Sequence, residues 1–394
     1  MPTYPSQNAV VIPTRNNMRF AIIFNNRFRF AGLAALHVAC LFSLCFSLAR
    51  AEPAPSNLQT TIERLAREKQ VCAVAYATIH AGKISSSGGA SGCDRGRNPT
   101  ADSVFQAASL SKPVFAYAVL KLAREGLLNL DAPLVSYLPQ GYFHIQNPFA
   151  FGKPPISDLV VAPEIQTVTA RMVLRHTSGL PNWSSDPLAF DFTPGTDWQY
   201  SGEGFMLLQR AIESITNQGL DEFVRGRLFD PLGMSNTAFR WKPQFADAFI
   251  PGMPKHMAIP EALAPFSLHT SANDYAKFLA ALLDDQQAVQ LIVQSPASVL
   301  PRLGLGWGLG WGIERGEKET FLWQWGNNPG YRAFVMASTS SGHAVVMLTN
   351  SEEGLSMAEP IITTVLPGTH NVFRSYLVRE GFSYFACKSL DWCL

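Results

Sequence analysis

The chain has 394 residues, of which 47% are hydrophobic and 15% are charged, a composition typical of a globular protein with one or two domains. The formal net charge is +1, but the first 51 residues contain five arginines and no acidic residue, so the remainder carries −4. No basic run follows residue 52, and this distribution of charge argues against a nucleic-acid partner.

The N-terminal segment, residues 1–51, has the three parts of a secretory signal peptide. Arg27 and Arg29 precede an apolar run over residues 31–48, and Ala49-Arg50-Ala51 provides a small-x-small cleavage pattern. An uncleaved transmembrane anchor is the alternative, because the run is about the minimum length that spans a bilayer. We expect cleavage after Ala51, which predicts a periplasmic or secreted protein with no stable membrane anchor.

The cysteines fall into two groups. Two lie in the predicted signal peptide and four follow it: Cys40 and Cys45, then Cys72, Cys93, Cys387 and Cys393. An even number in an exported chain permits disulfides with three possible pairings, and the local pairs Cys72–Cys93 and Cys387–Cys393 are the simplest expectation. The spacings match neither a zinc ribbon nor a redox Cys-x-x-Cys motif, and we expect neither a metal nor a cofactor.

Hydrophobic periodicity and turn residues predict the elements of the first third of the chain. They are a helix over residues 57–69, a strand over 71–80, a tight turn at Ala81-Gly82, a second strand over 83–87 and a long helix. The long helix begins just before Pro113, because proline is tolerated in a first turn, and Gly126 is its stop signal.

The middle of the chain is predicted to be helical, and the last part is rich in strands. The middle comprises a short amphipathic piece at 128–138, an irregular surface loop at 140–165, and helices at 169–176, 204–217, 220–228 and 271–283. Strand-like segments follow at 306–313, 320–324, 331–337 and 344–350, and a short helix near Ile362 ends at Pro367.

This order predicts an α+β fold in which strands from both ends of the chain share one antiparallel sheet flanked by helices, while the middle forms an all-helical lobe. The expected domain covers residues 52–384, with a sheet lobe at about 52–112 and 265–384, a helical lobe at about 113–264 and a C-terminal tail at 385–394. A cleft is expected where the lobes meet, close to Ser109.

Ser109 and Lys112 are the first candidates for chemistry. With the helix starting just before Pro113, the two side chains are spaced i and i+3 and lie on the same face, with the serine at the positive end of the helix dipole. A serine becomes a nucleophile when a base or a cation activates it, and Lys112 is suitably spaced for that. A helix cap beside a solvated lysine explains the same four residues equally well.

Six segments, in the same order, resemble the serine β-lactamase and penicillin-binding-protein superfamily, in its class-C-like branch. The resemblance runs from about residue 58 to 366. The segments are Phe105–Lys112, Leu174–Pro181, Tyr200-Ser201-Gly202, Leu305–Gly312, Gln324-Trp325-Gly326 with the following Asn328–Tyr331, and Val345–Asn350. The resemblance implies a β-lactamase/transpeptidase-like fold and an acyl-enzyme hydrolase.

The resemblance also implies roles for individual residues. Ser109 attacks a carbonyl, and Lys112 activates it together with Tyr200, since a cation beside a phenol favours a phenolate that can move the proton. A strand edge at Gly326 aligns the acyl substrate, and the backbone N–H groups of Ser109 and Asn327 form the oxyanion hole. The expected substrate-binding and oxyanion residues are Gly202, Gln324, Trp325, Gly326 and Asn327.

Two positions depart from the family pattern. Gly202 replaces an asparagine whose amide would contact the lysine and the substrate amide, and Gln324 replaces the lysine or histidine that would meet a substrate carboxylate. We therefore expect an esterase or D-peptidase type of hydrolase acting on a small-molecule or peptide substrate. A true β-lactamase and a non-catalytic penicillin-binding or cell-wall sensor module are the alternatives.

Histidine and tryptophan residues near these motifs have two interpretations each. His176 suits a catalytic triad, but the resemblance makes it a structural loop residue, and His269 is expected to pack in the core or at the surface. Four tryptophans are expected either to wall the pocket or to fill the core: Trp307, Trp311, Trp323 and Trp325.

Overall fold

An antiparallel sheet built from both ends of the chain is the centre of the fold. The computed structural model describes residues 58–94 and 97–378, so the predicted signal peptide, Cys387 and Cys393 lie outside the described residues. The strands are β1 (Val74–His80), β2 (Lys83–Ala90), β3 (Phe105–Gln106), β4 (Phe143–Ile145), β5 (Ser157–Leu159), β6 (His269–Thr270), β7 (Ala297–Leu300), β8 (Leu305–Trp307), β9 (Gly312–Arg315), β10 (Thr320–Asn328), β11 (Tyr331–Ser338) and β12 (Ala344–Thr349).

Eight strands form the main sheet in the order β2-β1-β12-β11-β10-β9-β8-β7. The first and last strands of the described residues pair directly, with Val74 opposite Thr349, which confirms the predicted sharing of one sheet. β12 is buried along its whole length, as expected for a strand covered on both faces. Its alternate residues therefore enter two different apolar layers.

Helices cover both faces of this sheet. They are α1 (Leu58–Glu68), α2 (Ser111–Arg124), α3 (Ala170–Leu174), α4 (Gly202–Thr216), α5 (Leu220–Val224), α6 (Ala272–Asp284), α7 (Gln286–Val293) and α8 (Ala358–Val365). One layer joins α1 and α8 to the face that carries Val345 and Met347. The other joins α2 and α6 to the face that carries Val346 and Leu348. Within the described part of the chain, no helix has the length and apolar character needed to cross a membrane.

Several predicted elements differ from the observed ones. The segment expected to be an irregular loop at 140–165 contains a hairpin, in which β4 pairs with β5 and Phe143 lies opposite Leu159. The amphipathic piece at 128–138 is a short 3-10 turn, Leu134–Tyr137, and the strand predicted at 306–313 is the separate pair β8 and β9. The sequence also did not predict β7 and α7. The strands β4, β5, β7, β8 and β9 are only three or four residues long, too short for a period-2 pattern to be recognised.

A disulfide joins Cys72 to Cys93, as the local pairing predicted. It connects the residue two places before β1 with the loop that follows β2, and so closes the end of the hairpin opposite the Ala81-Gly82 turn. Both residues of that turn have positive φ, the backbone conformation of a tight hairpin turn.

Candidate active site

Ser109 lies in a short 3-10 turn, Ala108–Leu110, between β3 and α2. It therefore precedes the α-helix, which begins at Ser111, whereas Pro113 lies in the first helical turn as predicted. Ala108 has a φ of +49°, a conformation that costs a non-glycine residue energy and recurs at functional sites. Ser109 is half-buried while the residues on both sides of it are buried, so its side chain faces the open side of the turn.

Two side chains, Ser111 and Tyr275, form hydrogen bonds with the backbone of this turn. Ser111 Oγ donates to the Ala108 carbonyl at 2.6 Å and accepts from the Leu268 N–H at 3.0 Å. The Tyr275 hydroxyl donates to the Leu110 carbonyl at 3.1 Å. These bonds fix the backbone on both sides of Ser109 and leave its own hydroxyl available for other partners.

Lys112 is almost completely buried, with 1% of its surface exposed. Its Nζ lies 3.2 Å from Ser109 Oγ and donates to the Pro265 carbonyl at 2.9 Å. It also lies 4.6 Å from the centre of the Tyr200 ring. Burial lowers the pKa of Lys112 well below its ordinary value, which favours the neutral amine.

Tyr200 completes this group from the loop before α4. Its hydroxyl shares a side-chain hydrogen bond with Ser109 and accepts one from Gln324 Nε2 at 3.0 Å. Burial raises the pKa of Tyr200, against the opposing effect of those two hydrogen bonds. The surroundings therefore favour a neutral phenol beside a neutral amine, which is the reverse of the phenolate and cation expected from the sequence.

Strand β10 runs past the nucleophile turn and carries the other predicted residues. A Cβ on Gly326 would lie 2.5 Å from the Ala107 carbonyl oxygen and 3.2 Å from Ala108 Cβ, so the close approach of the strand to this turn requires glycine. Gly326 and Asn327 pair with Ala333 and Arg332 of β11. The strand thus brings the backbone of both residues alongside the turn that holds Ser109.

Gln324 is fully buried and bridges β10 to Tyr200. Its Nε2 also donates to the carbonyl of Trp325, and its Oε1 is buried without a hydrogen-bond partner. The Trp325 ring is half-buried and packs 4.9 Å from the Tyr200 ring. The other three tryptophans, by contrast, are fully buried in the core: Trp307, Trp311 and Trp323.

His176 is buried behind Tyr200, with ring centres 4.4 Å apart. Its Nδ1 accepts a hydrogen bond from the Ser201 N–H at 3.0 Å, and its carbonyl accepts one from the Gln199 N–H at 2.9 Å. Burial, with a smaller effect of Lys112, lowers the pKa of His176 and keeps the ring neutral. His176 therefore positions Tyr200. His269, on β6 opposite Gln106 of β3, is buried against Trp241.

Trp183 was missed by sequence reasoning. It lies in the aromatic loop before Tyr200 and contacts the position of Gly202, the first residue of α4. No spacing rule relates residues 183 and 202, so only the folded loop shows that they meet. Among the described residues, there is no group of three or more His, Cys, Asp or Glu side chains that could hold a metal ion.

The fold and these contacts define a class of protein: an α+β protein in which a serine, a buried lysine and a tyrosine converge beside strand β10 of an antiparallel sheet. Residues 58–366 match the family model described as beta-lactamase, and the chain belongs to that family, within the serine β-lactamase and penicillin-binding-protein superfamily.

Individual relatives have different named activities. The chain is 24% identical over 313 residues to penicillin-binding protein 4* of Bacillus subtilis (strain 168), covering 66% of this chain and 64% of the relative. It is 30% identical over 236 residues to esterase EstB of Burkholderia gladioli, covering 51% and 55%. The chain thus spans less than two thirds of the length of these curated relatives. The solved structure of D-alanine carboxypeptidase AmpC from Burkholderia cenocepacia has the same fold, with a TM-score of 0.64, 18% identity, and coverage of 78% and 99%.

Proposed function

We propose that this protein is an exported serine hydrolase that cleaves an ester or amide through an acyl-enzyme on Ser109. One observation carries the proposal: a buried lysine with a lowered pKa lies 3.2 Å from Ser109 Oγ, and the same serine is hydrogen-bonded to Tyr200. A neutral amine has a lone pair that can accept the serine proton, while its hydrogens still donate to the Pro265 carbonyl.

Acylation of Ser109 transfers one proton through Lys112 and Tyr200 to the leaving group. Ser109 Oγ bonds to the substrate carbonyl carbon as its proton passes to Lys112 Nζ, and the carbonyl oxygen becomes an oxyanion. The backbone N–H groups of Ser109 and Asn327 are the proposed donors to that oxyanion. Tyr200 gives its hydroxyl proton to the leaving group, the bond between carbonyl carbon and leaving group breaks, and the proton on Lys112 restores the phenol.

Deacylation repeats these steps with water as the nucleophile. Water loses a proton to the Lys112–Tyr200 pair and attacks the acyl carbon, and Ser109 leaves with a proton returned from the same pair. The raised pKa of Tyr200 supports its role as a proton donor, because a phenol that stays protonated can act as a general acid.

Two features favour esters over penicillin-type substrates. Gly202 has no side chain to bind a substrate amide, and Gln324 has no positive charge to bind a carboxylate. A charge-assisted hydrogen bond contributes about 1.5–3 kcal/mol, so its loss weakens recognition of a carboxylate by roughly tenfold or more. Esterase EstB of Burkholderia gladioli, one of the relatives, supports this preference.

Export is proposed from the sequence of residues 1–51 alone, and the start of the mature protein tests it. The expected mature N-terminus is Glu52. Recovery of the chain in the membrane fraction with the apolar run intact would support the anchored alternative instead.

An active-site probe tests the catalytic proposal. A fluorophosphonate should label the wild type at Ser109, Ser109→Ala should abolish both labelling and hydrolysis of p-nitrophenyl esters, and Ser86→Ala, a serine exposed on β2, should alter neither. An unlabelled wild type that hydrolyses no ester or amide would overturn the proposal. A stable adduct with penicillin and no turnover would instead support the sensor alternative.

A further inference from the structure

The indole of Trp183 fills the space that any side chain at position 202 would need. A Cβ built on Gly202 would lie 2.4 Å from Cη2 of Trp183, 2.6 Å from Cζ3 and 2.7 Å from Cζ2. Contacts below 3.0 Å are essentially never made by real Cβ atoms. The Trp183 ring and a side chain at 202 therefore exclude each other, so an apolar ring lies where the family pattern has a polar amide.

Trp183 belongs to a group of three aromatic rings that all touch one another, here called the aromatic cluster. Its ring centre lies 4.8 Å from that of Phe149 and 5.4 Å from that of Phe266, and the two phenylalanine rings are 5.1 Å apart. Phe266 is buried, whereas Trp183 is half-buried and Phe149 is 37% exposed. The cluster thus has a buried base and an apolar surface that faces solvent.

Two short links connect this cluster to the catalytic group. Gly202 follows Tyr200 by two residues, and Phe266 follows Pro265, whose carbonyl accepts the hydrogen bond from Lys112 Nζ at 2.9 Å. Trp183 and Phe266 also pack with Met206 and Leu263, which line a cavity of about 340 Å³. An apolar group attached to a carbonyl at Ser109 could therefore pack on the cluster and extend toward this cavity.

We infer that Trp183 and Phe149 bind an apolar portion of the substrate and so determine specificity, an inference that rests on the hydrolase function proposed above. Removing apolar surface from water favours binding by about fourfold for each methylene group buried. The substrate class that the cluster selects is thus an ester with an extended alkyl or aryl group, on either its acyl or its alcohol side.

Two series of esters test this inference and distinguish the two sides. One series keeps p-nitrophenol as the leaving group and lengthens the acyl chain from acetyl to octanoyl, and the other keeps acetyl and lengthens the alcohol. In the wild type, kcat/KM should rise by about fourfold per methylene over the first few carbons of one series. Trp183→Ala should flatten that rise, and Phe143→Ala, an exposed phenylalanine on the nearby β4, should leave it unchanged.

A second pair of variants tests the exclusion between the ring and position 202. Gly202→Ala should displace the indole and flatten the same series, and adding it to Trp183→Ala should cause no further loss, because the two changes act on one contact. Trp183→Leu, which keeps an apolar side chain, serves if the alanine variant does not fold.

The outcomes separate this inference from the proposed function. If wild type and Trp183 variants show the same dependence on chain length in both series, or if Gly202→Ala keeps the wild-type dependence, the inference is wrong, while Ser109-dependent hydrolysis of p-nitrophenyl acetate still supports the hydrolase. If the wild type hydrolyses no ester in either series, this inference fails, and fluorophosphonate labelling of Ser109 together with amide hydrolysis decides the proposed function separately.

Discussion

His176 holds Tyr200 in place from both sides along the chain. It accepts hydrogen bonds from the N–H groups of Gln199 and Ser201, and its ring packs 4.4 Å from the phenol ring. The Tyr200 hydroxyl must reach Ser109, and displacement of a catalytic group by about 1 Å can cost roughly 10²-fold in rate. In the proposed mechanism, the orientation of the phenol thus depends on a histidine that takes no part in proton transfer.

His176→Leu should therefore lower kcat by about 10²-fold with a small change in KM, because the catalytic geometry is lost while the substrate surface remains. Steady-state kinetics on a p-nitrophenyl ester measure this split. His176→Asn, which keeps a side-chain acceptor for the Ser201 N–H, should recover part of the rate. Equal losses in both variants would contradict the positioning role, and an acid limb of the wild-type pH profile that is missing from both variants would indicate direct proton transfer by His176.

Lys112 is expected to act as a base only when it is neutral. Burial lowers the pKa of Lys112 well below the ordinary lysine value, so the amine loses its proton at a lower pH than an exposed lysine would. We therefore expect kcat/KM to fall as pH decreases through that pKa and to remain high above it. Burial raises the pKa of Tyr200, so ionisation of the phenol should produce no alkaline limb within a practical pH range. A pH profile of kcat/KM measures the acid limb.

Lys112→Arg is the sharpest variant for this point, since a guanidinium keeps its charge at every practical pH. It should lose at least about 10³-fold in kcat/KM at neutral pH and gain no activity on going to high pH. Lys277→Arg, a lysine that pairs with Asp274 on α6, is the matched control and should keep the wild-type profile. Wild-type activity in Lys112→Arg would exclude Lys112 as the base.

The sheet was predictable from the sequence because its central strands are long apolar runs. The segments 331–337 and 344–350 were predicted as strands, and their bounds agree with β11 and β12 to within one residue. The apolar strand β1 pairs with β12, near the other end of the chain. The hairpin of β4 and β5 was not predictable, because two three-residue strands separated by a long proline-containing connection carry too little pattern.

The site was predictable to the level of which residues meet, and no further. Ser109, Lys112 and Tyr200 come from segments with a recognisable order, and the structure brings them together. Their protonation depends on how deeply each is buried, which a linear pattern does not contain. The contact of Trp183 with Gly202 likewise depends on a loop conformation, and so required the folded chain.

Gln324 offers a direct test of the proposed preference for esters over penicillin-type substrates. Gln324→Lys introduces a positive charge beside the site and should raise acylation by nitrocefin, which carries a carboxylate, by about tenfold relative to uncharged esters. Gln324→Met has similar size and no charge, and should show no such gain. Because Gln324 also donates to Tyr200, both variants should lose some ester activity, and the ratio of the two substrates isolates the effect of the charge.

A buried ion pair near the aromatic cluster should make stability depend on pH. His144 is fully buried, with Nδ1 3.1 Å from Asp158 Oδ1 and Nε2 3.4 Å from Glu203 Oε2. Burial alone would lower the pKa of His144, but the two carboxylates outweigh it and raise the pKa above its ordinary value. Glu203 also accepts a hydrogen bond from the N–H of Ser184, next to Trp183. The pair of His144 and Glu203 therefore supports the loop that carries the Trp183 indole.

The protonated histidine is stabilised in the folded state, so its contribution to the free energy of unfolding is complete below about pH 6.5, the ordinary histidine value, and is lost as pH rises through the higher folded pKa. The difference in Tm between wild type and His144→Gln should therefore be largest at about pH 5.5 and should shrink towards pH 9. The carboxylate of Glu314 also raises the pKa of His370. His370→Gln is therefore the comparison that separates the contribution of His370 to the pH dependence from that of His144. A difference for His144→Gln that grows with pH would show that His144 is neutral in the fold, and the loop carrying Trp183 would then be held by packing and backbone contacts instead of by charge.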